Sequence, residues 1–302
     1  MNLKGILFGL MILALPYLTI AQNSKKVGEL KDTGKSLNAN PYLDSIKNHE
    51  MKMRDLGDSM VDGVTQTRRF KSAKQFIPEL VKALKFPGSY YYPFDSLAFM
   101  KKLEPEDKSF RLLNWALKCN DGTYRYYGAI QFKSDDRLKL IPLRCDTGSI
   151  YDADLDTVIT DANLWPGALY YKMITTKIKG KTYYTLLGWD GYNYASDKKV
   201  IEVLSFDDNG KPVFGAPIFD INGKIQTRVI FYYAGNSEMV LRYDDDHNII
   251  TFDNLVPPNP ASKGILYYYI PDGSYDYLEI KDGKWTLKEN PFDNFKTIKG
   301  DK

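Results

Sequence analysis

Six dipeptides in which Asp or Asn precedes Gly punctuate the chain after residue 110, and they constrain its fold more than any other feature. They are Asp121-Gly122, Asp190-Gly191, Asn209-Gly210, Asn222-Gly223, Asp272-Gly273 and Asp282-Gly283. Both residue types tolerate the left-handed backbone that tight β-turns need, so such a pair between apolar runs marks a hairpin. Between the pairs lie "TYRYYGAIQF", "LYYKMITTKI", "KTYYTLLGW", "KKVIEVLSF", "TRVIFYYAG", "EMVLRYD", "NIITFDNL" and "GILYYYI", each rich in the β-branched and aromatic residues that suit a pleated surface. About a dozen short strands in sequential hairpins predict a mainly β fold with a helical N-terminal region, the strands forming an antiparallel β meander arranged as a sandwich, barrel or small propeller.

The periodicity differs before that zone. In "PYLDSIKNHEMKMRDLGDSM", Leu43, Ile46, Met53 and Leu56 recur at mostly helical spacing. In "SAKQFIPELVKALKF", Phe76, Leu80, Val81 and Leu84 share a helix face, Pro78 is placed early in the helix, and Pro87-Gly88 stops it. Residues 22–40 are polar and read as a flexible leader. At the start, Lys4 precedes an apolar run from Ile6 to Ile20, and small residues at Thr19 and Ala21 offer a peptidase site. Gly9 and Pro16 interrupt that run, and "QNSKK" follows it, which favours a cleaved signal peptide over an anchor. The expected organisation is a signal peptide over 1–21, a leader over 22–40, a helical region over 41–105, an antiparallel β domain over 106–290 and a tail over 291–302.

Export places the mature chain in the periplasm or at the cell surface, or releases it, with no further membrane span. Lys and Arg number 41 against 38 Asp and Glu, so no strong basic field argues for nucleic acid. The local cluster Arg68, Arg69, Lys71 and Lys74 reads as a solvated helix face. Cys119 and Cys145 each end an apolar run, and in an oxidising compartment they are expected to form a disulfide.

Two stretches carry candidate ligand residues. In "DADLDTVITDAN", Asp152, Asp154 and Asp156 take the first, third and fifth places of a calcium loop, with Thr160 at the ninth. Thr157 stands where that loop needs Gly, and Asn163 where it needs a bidentate Glu, so a solvated acidic loop is expected and calcium is the alternative. The second stretch is the knot around Trp189, Tyr192 and Asn193. It is either the turn of a hairpin or, if those side chains stay exposed together, an aromatic and polar ligand site.

The blocks "WPGALYYKMI", "YYTLLGWDGYN", "KKVIEVLSF" and "PVFGAPIF", from Trp165 to Phe219, resemble a recurring segment of uncharacterised exported β-rich proteins of Bacteroidota-type bacteria. The resemblance implies export and a β fold, and it carries no reaction and no catalytic residues.

The usual catalytic signatures are missing from the sequence. Only His49 and His247 are present, with no His-Glu-x-x-His motif, no Gly-x-Ser-x-Gly elbow and no phosphate-binding Gly loop. His49 is expected on an exposed helix face and His247 in a hairpin turn. An exported, non-catalytic envelope protein with a binding or structural role is therefore expected, with no cofactor and with an envelope protein or a glycan as partner. The alternatives are a carbohydrate-binding module using exposed aromatics and a glycoside hydrolase-like enzyme with an acid pair.

Overall fold

Thr65 opens the second of the two helical stretches expected, accepting a hydrogen bond from the Arg68 amide at 3.2 Å as an N-cap. In the computed structural model, which describes residues 40–145 and 155–289, helix α1 spans Leu43–Val61 and helix α2 spans Gln66–Leu84. The cap starts α2 before the "SAK" expected to open it, so Pro78 sits in the helix interior rather than near its start. On α1, Ile46, Glu50, Met53, Gly57 and Met60 form the buried stripe. Gly57 is needed because the Phe99 ring packs where a Cβ would stand, 2.1 Å from Phe99 Cε1. The expected signal peptide, all but the last residue of the leader, Asp152, Asp154 and the 291–302 tail lie outside the described residues. No described helix is long and apolar enough to cross a membrane.

The strands follow as β1 (Lys101–Leu103), β2 (Phe110–Lys118), β3 (Tyr124–Phe132), β4 (Lys139–Leu143), β5 (Thr160–Asp161), β6 (Leu169–Ile178), β7 (Lys181–Asp190) and β8 (Ser196–Phe206). They continue as β9 (Pro212–Phe214), β10 (Phe219–Ile221), β11 (Lys224–Gln226), β12 (Val229–Ala234), β13 (Leu241–Asp244), β14 (Ile249–Val256), β15 (Ile270–Lys281) and β16 (Lys284–Lys288). Three sheets result: β1-β2-β3-β4, a central β5-β9-β8-β7-β6 with β12 added on β8, and β11-β10-β16-β15-β14-β13. All ladders are antiparallel except β10 with β16. None of the three closes, so the chain is mainly β with packed open sheets rather than a barrel.

The alternation of side chains along single strands explains how the layers stack. On β2, Leu113, Trp115 and Leu117 point to the helices and pack with Ile46, Met53, Phe76 and Leu80. Phe110 and Leu112 face the other way, meeting Tyr184, Leu186, Leu204 and Phe214 of the central sheet. Leu187, Ile201 and Val203 line that sheet's opposite face, against Ile250, Phe252, Leu278 and Trp285 of the third. A sheet covered on both faces needs near-continuous apolar strands, which is why "VIEVLSF" on β8 does not alternate.

Polar side chains join the layers. The Asn114 amide accepts from the Tyr170 N–H at 2.8 Å and donates to the Tyr170 carbonyl at 3.4 Å, where β6 slips register against β7. Glu202 and Arg228 form an ion pair at 2.8 Å in the interior, with side chains 0% and 1% exposed. Arg228 Nη1 also donates to the Leu155 and Val158 carbonyls, fastening that segment to the central sheet. Arg69, from the basic cluster expected to be solvated, donates to the Gly63 and Lys118 carbonyls and to Asn120 Oδ1.

The disulfide does not form: Cys119 and Cys145 are not joined. Cys119 follows β2 and Cys145 follows β4, and β3 lies between those strands. Two inter-strand spacings, roughly 10 Å, exceed the reach of a disulfide. The Cys145 thiol faces the Pro166 carbonyl at 3.6 Å instead.

Candidate functional site

The knot at the β7–β8 hairpin is part of a larger aromatic cluster. Asp190 and Lys198 are the last ladder pair of this hairpin, and their side chains approach to 3.7 Å. The Tyr126 hydroxyl donates to Asp190 Oδ1 at 2.8 Å and accepts from the Gly191 N–H at 2.8 Å, fixing the hairpin to the first sheet. Gly191 is not among the glycines with positive φ. It is required instead by close approach, since a Cβ there would stand 2.4 Å from the Tyr124 ring.

The three residues singled out in this knot have different surroundings. Trp189 is half-buried, its ring edge-on to Tyr124 at 5.0 Å and packed against the core between the central and third sheets. Asn193 caps the turn, Oδ1 accepting from the amides of Ala195 at 2.8 Å and Ser196 at 3.0 Å. Tyr192 points to a different cluster: its ring stacks on Tyr267 at 5.9 Å and 18°, and meets Tyr232 edge-on at 5.9 Å. Tyr232 and Tyr267 also meet edge-on, at 5.4 Å. The Lys198 ammonium lies beneath them, 3.7 Å from the Tyr192 ring centroid and 4.9 Å from that of Tyr232, on a residue only 3% exposed. Ring faces carry partial negative charge, so the two rings of Tyr192 and Tyr232 and the Asp190 carboxylate hold this buried cation, with Tyr267 packed against both rings.

Tyr267 belongs to a surface ridge. "GILYYYI", expected as a strand, instead makes a 3-10 turn at Leu266–Tyr268, and β15 begins only at Ile270. Ile265, Leu266, Tyr267 and Tyr268 are 43%, 50%, 41% and 50% exposed. The turn is held at both ends: the Ala234 amide on β12 donates to the Tyr269 carbonyl at 2.9 Å, and the Gly264 amide to the Tyr269 hydroxyl at 3.0 Å. Lys198, Tyr232 and Tyr267 were not singled out from the sequence. Only the lack of any polar alternation in "ILYYY", after "PPNPASKG", hinted that this segment could not be a half-buried strand.

The other candidates are occupied by structural bonds. Asp156 pairs with Lys224 Nζ at 2.7 Å and accepts from Gln226 Nε2 at 3.0 Å, while its companions Asp152 and Asp154 lie outside the described residues. No group of three metal-ligating side chains occurs among the described residues. His49, expected in solvent, is mostly covered and bonds Glu79 at 2.6 Å; burial raises the Glu79 pKa, but the bonds to His49 and Lys82 bring it below its usual value. His247 is in the expected turn, where its bond to Asp244 raises its pKa. Of the more covered carboxylates, Glu50 accepts from Tyr92 and Ser96, Glu202 binds Arg228, and Asp190 binds Tyr126.

Comparison with known proteins gave no match: no protein-family model fits the chain, and neither the curated proteins nor the solved structures include a significant similarity.

Proposed function

We propose that the chain is an exported, non-catalytic envelope protein that binds a partner protein through the ridge at Ile265–Tyr268. The observation that supports this reading is four consecutive large apolar side chains, each 41–50% exposed, held in a fixed turn rather than collapsed onto the fold. Contiguous apolar exposure costs solubility unless something covers it. Tyr267, already packed against Tyr192 and Tyr232, loses little further freedom on docking, which favours affinity. Tyr is also enriched among residues that carry protein–protein binding energy.

A glycan is the second reading, favoured by the exposed rings of Tyr267 and Tyr268. It leaves Ile265 and Leu266 without a role, because a sugar face stacks on aromatic rings and gains little from branched aliphatic groups. A hydrolase acid pair has less support, since Glu50, Glu202 and Asp190 are each committed to a separate structural partner.

The test uses purified protein added to envelopes from cells lacking it. Binding should be saturable and abolished by protease treatment of the envelopes. The doubly substituted Leu266→Asp, Tyr268→Ser protein, whose stability should stay within about 0.5 kcal/mol of the parent, should bind at least about tenfold more weakly. Equal binding by that variant, or binding that survives proteolysis but not periodate oxidation of sugars, contradicts the protein-partner reading.

A further inference from the structure

At the far end of β7 from the ridge, roughly 30 Å away along the strand, two hairpin tips lie side by side over the end of the core between the central and third sheets. One joins β6 to β7 through Lys179-Gly180, and the other joins β15 to β16 through Asp282-Gly283. Both are two-residue turns with φ positive at each position: 50° and 82° in the first, 50° and 75° in the second. Left-handed backbone suits Asp at the second tip, but a Lys at that position is uncommon and carries conformational strain.

Between the tips is a cavity of about 360 Å³, inside the range of small-molecule sites. Its apolar lining comes from Ile178, Tyr183, Pro217 and Ile218, and Ile178 and Ile218 are core residues only 7% and 5% exposed. Its charged lining comes from Lys179, Lys181 and Lys284 against the single carboxylate of Asp282. None of these lysines makes an ion pair among the described residues, in contrast to Lys172, Lys198 and Lys224. Three lysines thus line an opening that also exposes apolar side chains, the Lys181 ammonium lying 5.3 Å from the Tyr183 ring centroid, with a net lining charge of +2 from the three lysines and Asp282.

We infer that this cavity binds a small organic anion, its carboxylate or other acidic group between the lysines and its apolar body on Ile178, Ile218 and the Tyr183 ring. Lysines supply point charges without the planar fork of arginine, so the site selects for charge and an apolar body rather than for one anion geometry. The inference is independent of the ridge, which shares none of these residues.

Octanoate is a suitable probe, with 1-octanol supplying the same chain without the charge and inorganic phosphate supplying charge without the chain. In amide NMR spectra of the isotope-labelled protein, octanoate should saturably shift the Gly180 and Gly283 signals, with 1-octanol and phosphate each at least about tenfold weaker. Lys181→Gln with Lys284→Gln should weaken octanoate by about five- to tenfold, as expected for two partly exposed ion pairs. A thermal melt unchanged from the parent shows that this variant is folded, and Lys177→Gln, outside the cavity lining, serves as the charge control. The inference fails if octanoate leaves both glycine signals unmoved up to about 10 mM, if 1-octanol binds as well as octanoate, or if the Lys177 control weakens binding as much as the double substitution.

Discussion

Arg228 and Glu202 each bring a full charge into a region that admits no solvent, and each is tolerable only because the other is there. Removing one partner strands the second. Arg228→Met should therefore lower unfolding free energy by about 3–5 kcal/mol, measured by urea denaturation. Adding Glu202→Leu should restore part of that loss, but not all, because Arg228 also satisfies the Leu155 and Val158 carbonyls. Full recovery in the double variant would show that those carbonyl bonds contribute nothing. Glycines make a second comparison at this scale. Gly191→Ala should cost about 1–3 kcal/mol through overpacking against Tyr124. Gly180→Ala meets open space, so its cost should be only the left-handed strain, about 1–2 kcal/mol. From the sequence both positions look like turn glycines or go unnoticed; the difference lies in Tyr124, 67 residues from Gly191, and no local pattern carries it.

Elements were legible where turn chemistry is local. Of the six Asx-Gly pairs, those at Asp121, Asn209, Asn222 and Asp282 close hairpins with a left-handed glycine, as expected. Asp272-Gly273 also has a left-handed glycine but lies inside β15, where the ladder with β14 skips between Asp253 and Leu255 and the pair forms a bulge. Lys179-Gly180 makes an equally tight hairpin without the Asx signal. The cysteine pairing was misread because strand ends predict proximity only if strand order is known, and β3 separates β2 from β4. Non-reduced, denatured protein should accordingly be alkylated at both Cys119 and Cys145, and mass spectrometry should find no peptide linking them. A linked peptide in good yield would require a strand order different from β2-β3-β4.

For the molecule as a whole, the buried members of its 23 Tyr set an alkaline limit. Tyr126 and Tyr170 lie in the core, where burial, followed by the charges of Asp190 and Glu202 respectively, raises their phenol pKa values well above normal. Tyr171 and Tyr233 are raised mainly by burial as well. A phenol whose folded pKa exceeds its unfolded one supports the fold fully below the unfolded value, about 10, and loses that support as the pH rises beyond it. Melting temperature should be insensitive to these groups at neutral pH and fall steeply above pH about 10, with phenolate absorbance appearing together with unfolding. Phenolate formation by all tyrosines while the fold remains intact would contradict the layered core. The stack itself, helices on the first sheet, that sheet on the central one and the central one on the third, was not readable from hairpin order, because it depends on which face of β2 and β7 each neighbour covers. The ridge was hidden for the same reason: Tyr192, Tyr232 and Tyr267 are distant in sequence and meet only in the folded chain, beside Leu266 and Tyr268.

That ridge is the centre of the functional account, and in-cell photo-crosslinking tests it most directly. A photoreactive residue placed at Leu266, and separately at Tyr268, should yield the same discrete adduct with one partner protein, while the same residue at Lys177 on the opposite end of the central sheet yields none. No adduct at either ridge position, or adducts as abundant from position 177, would contradict the claim that Ile265–Tyr268 is where this protein meets its partner.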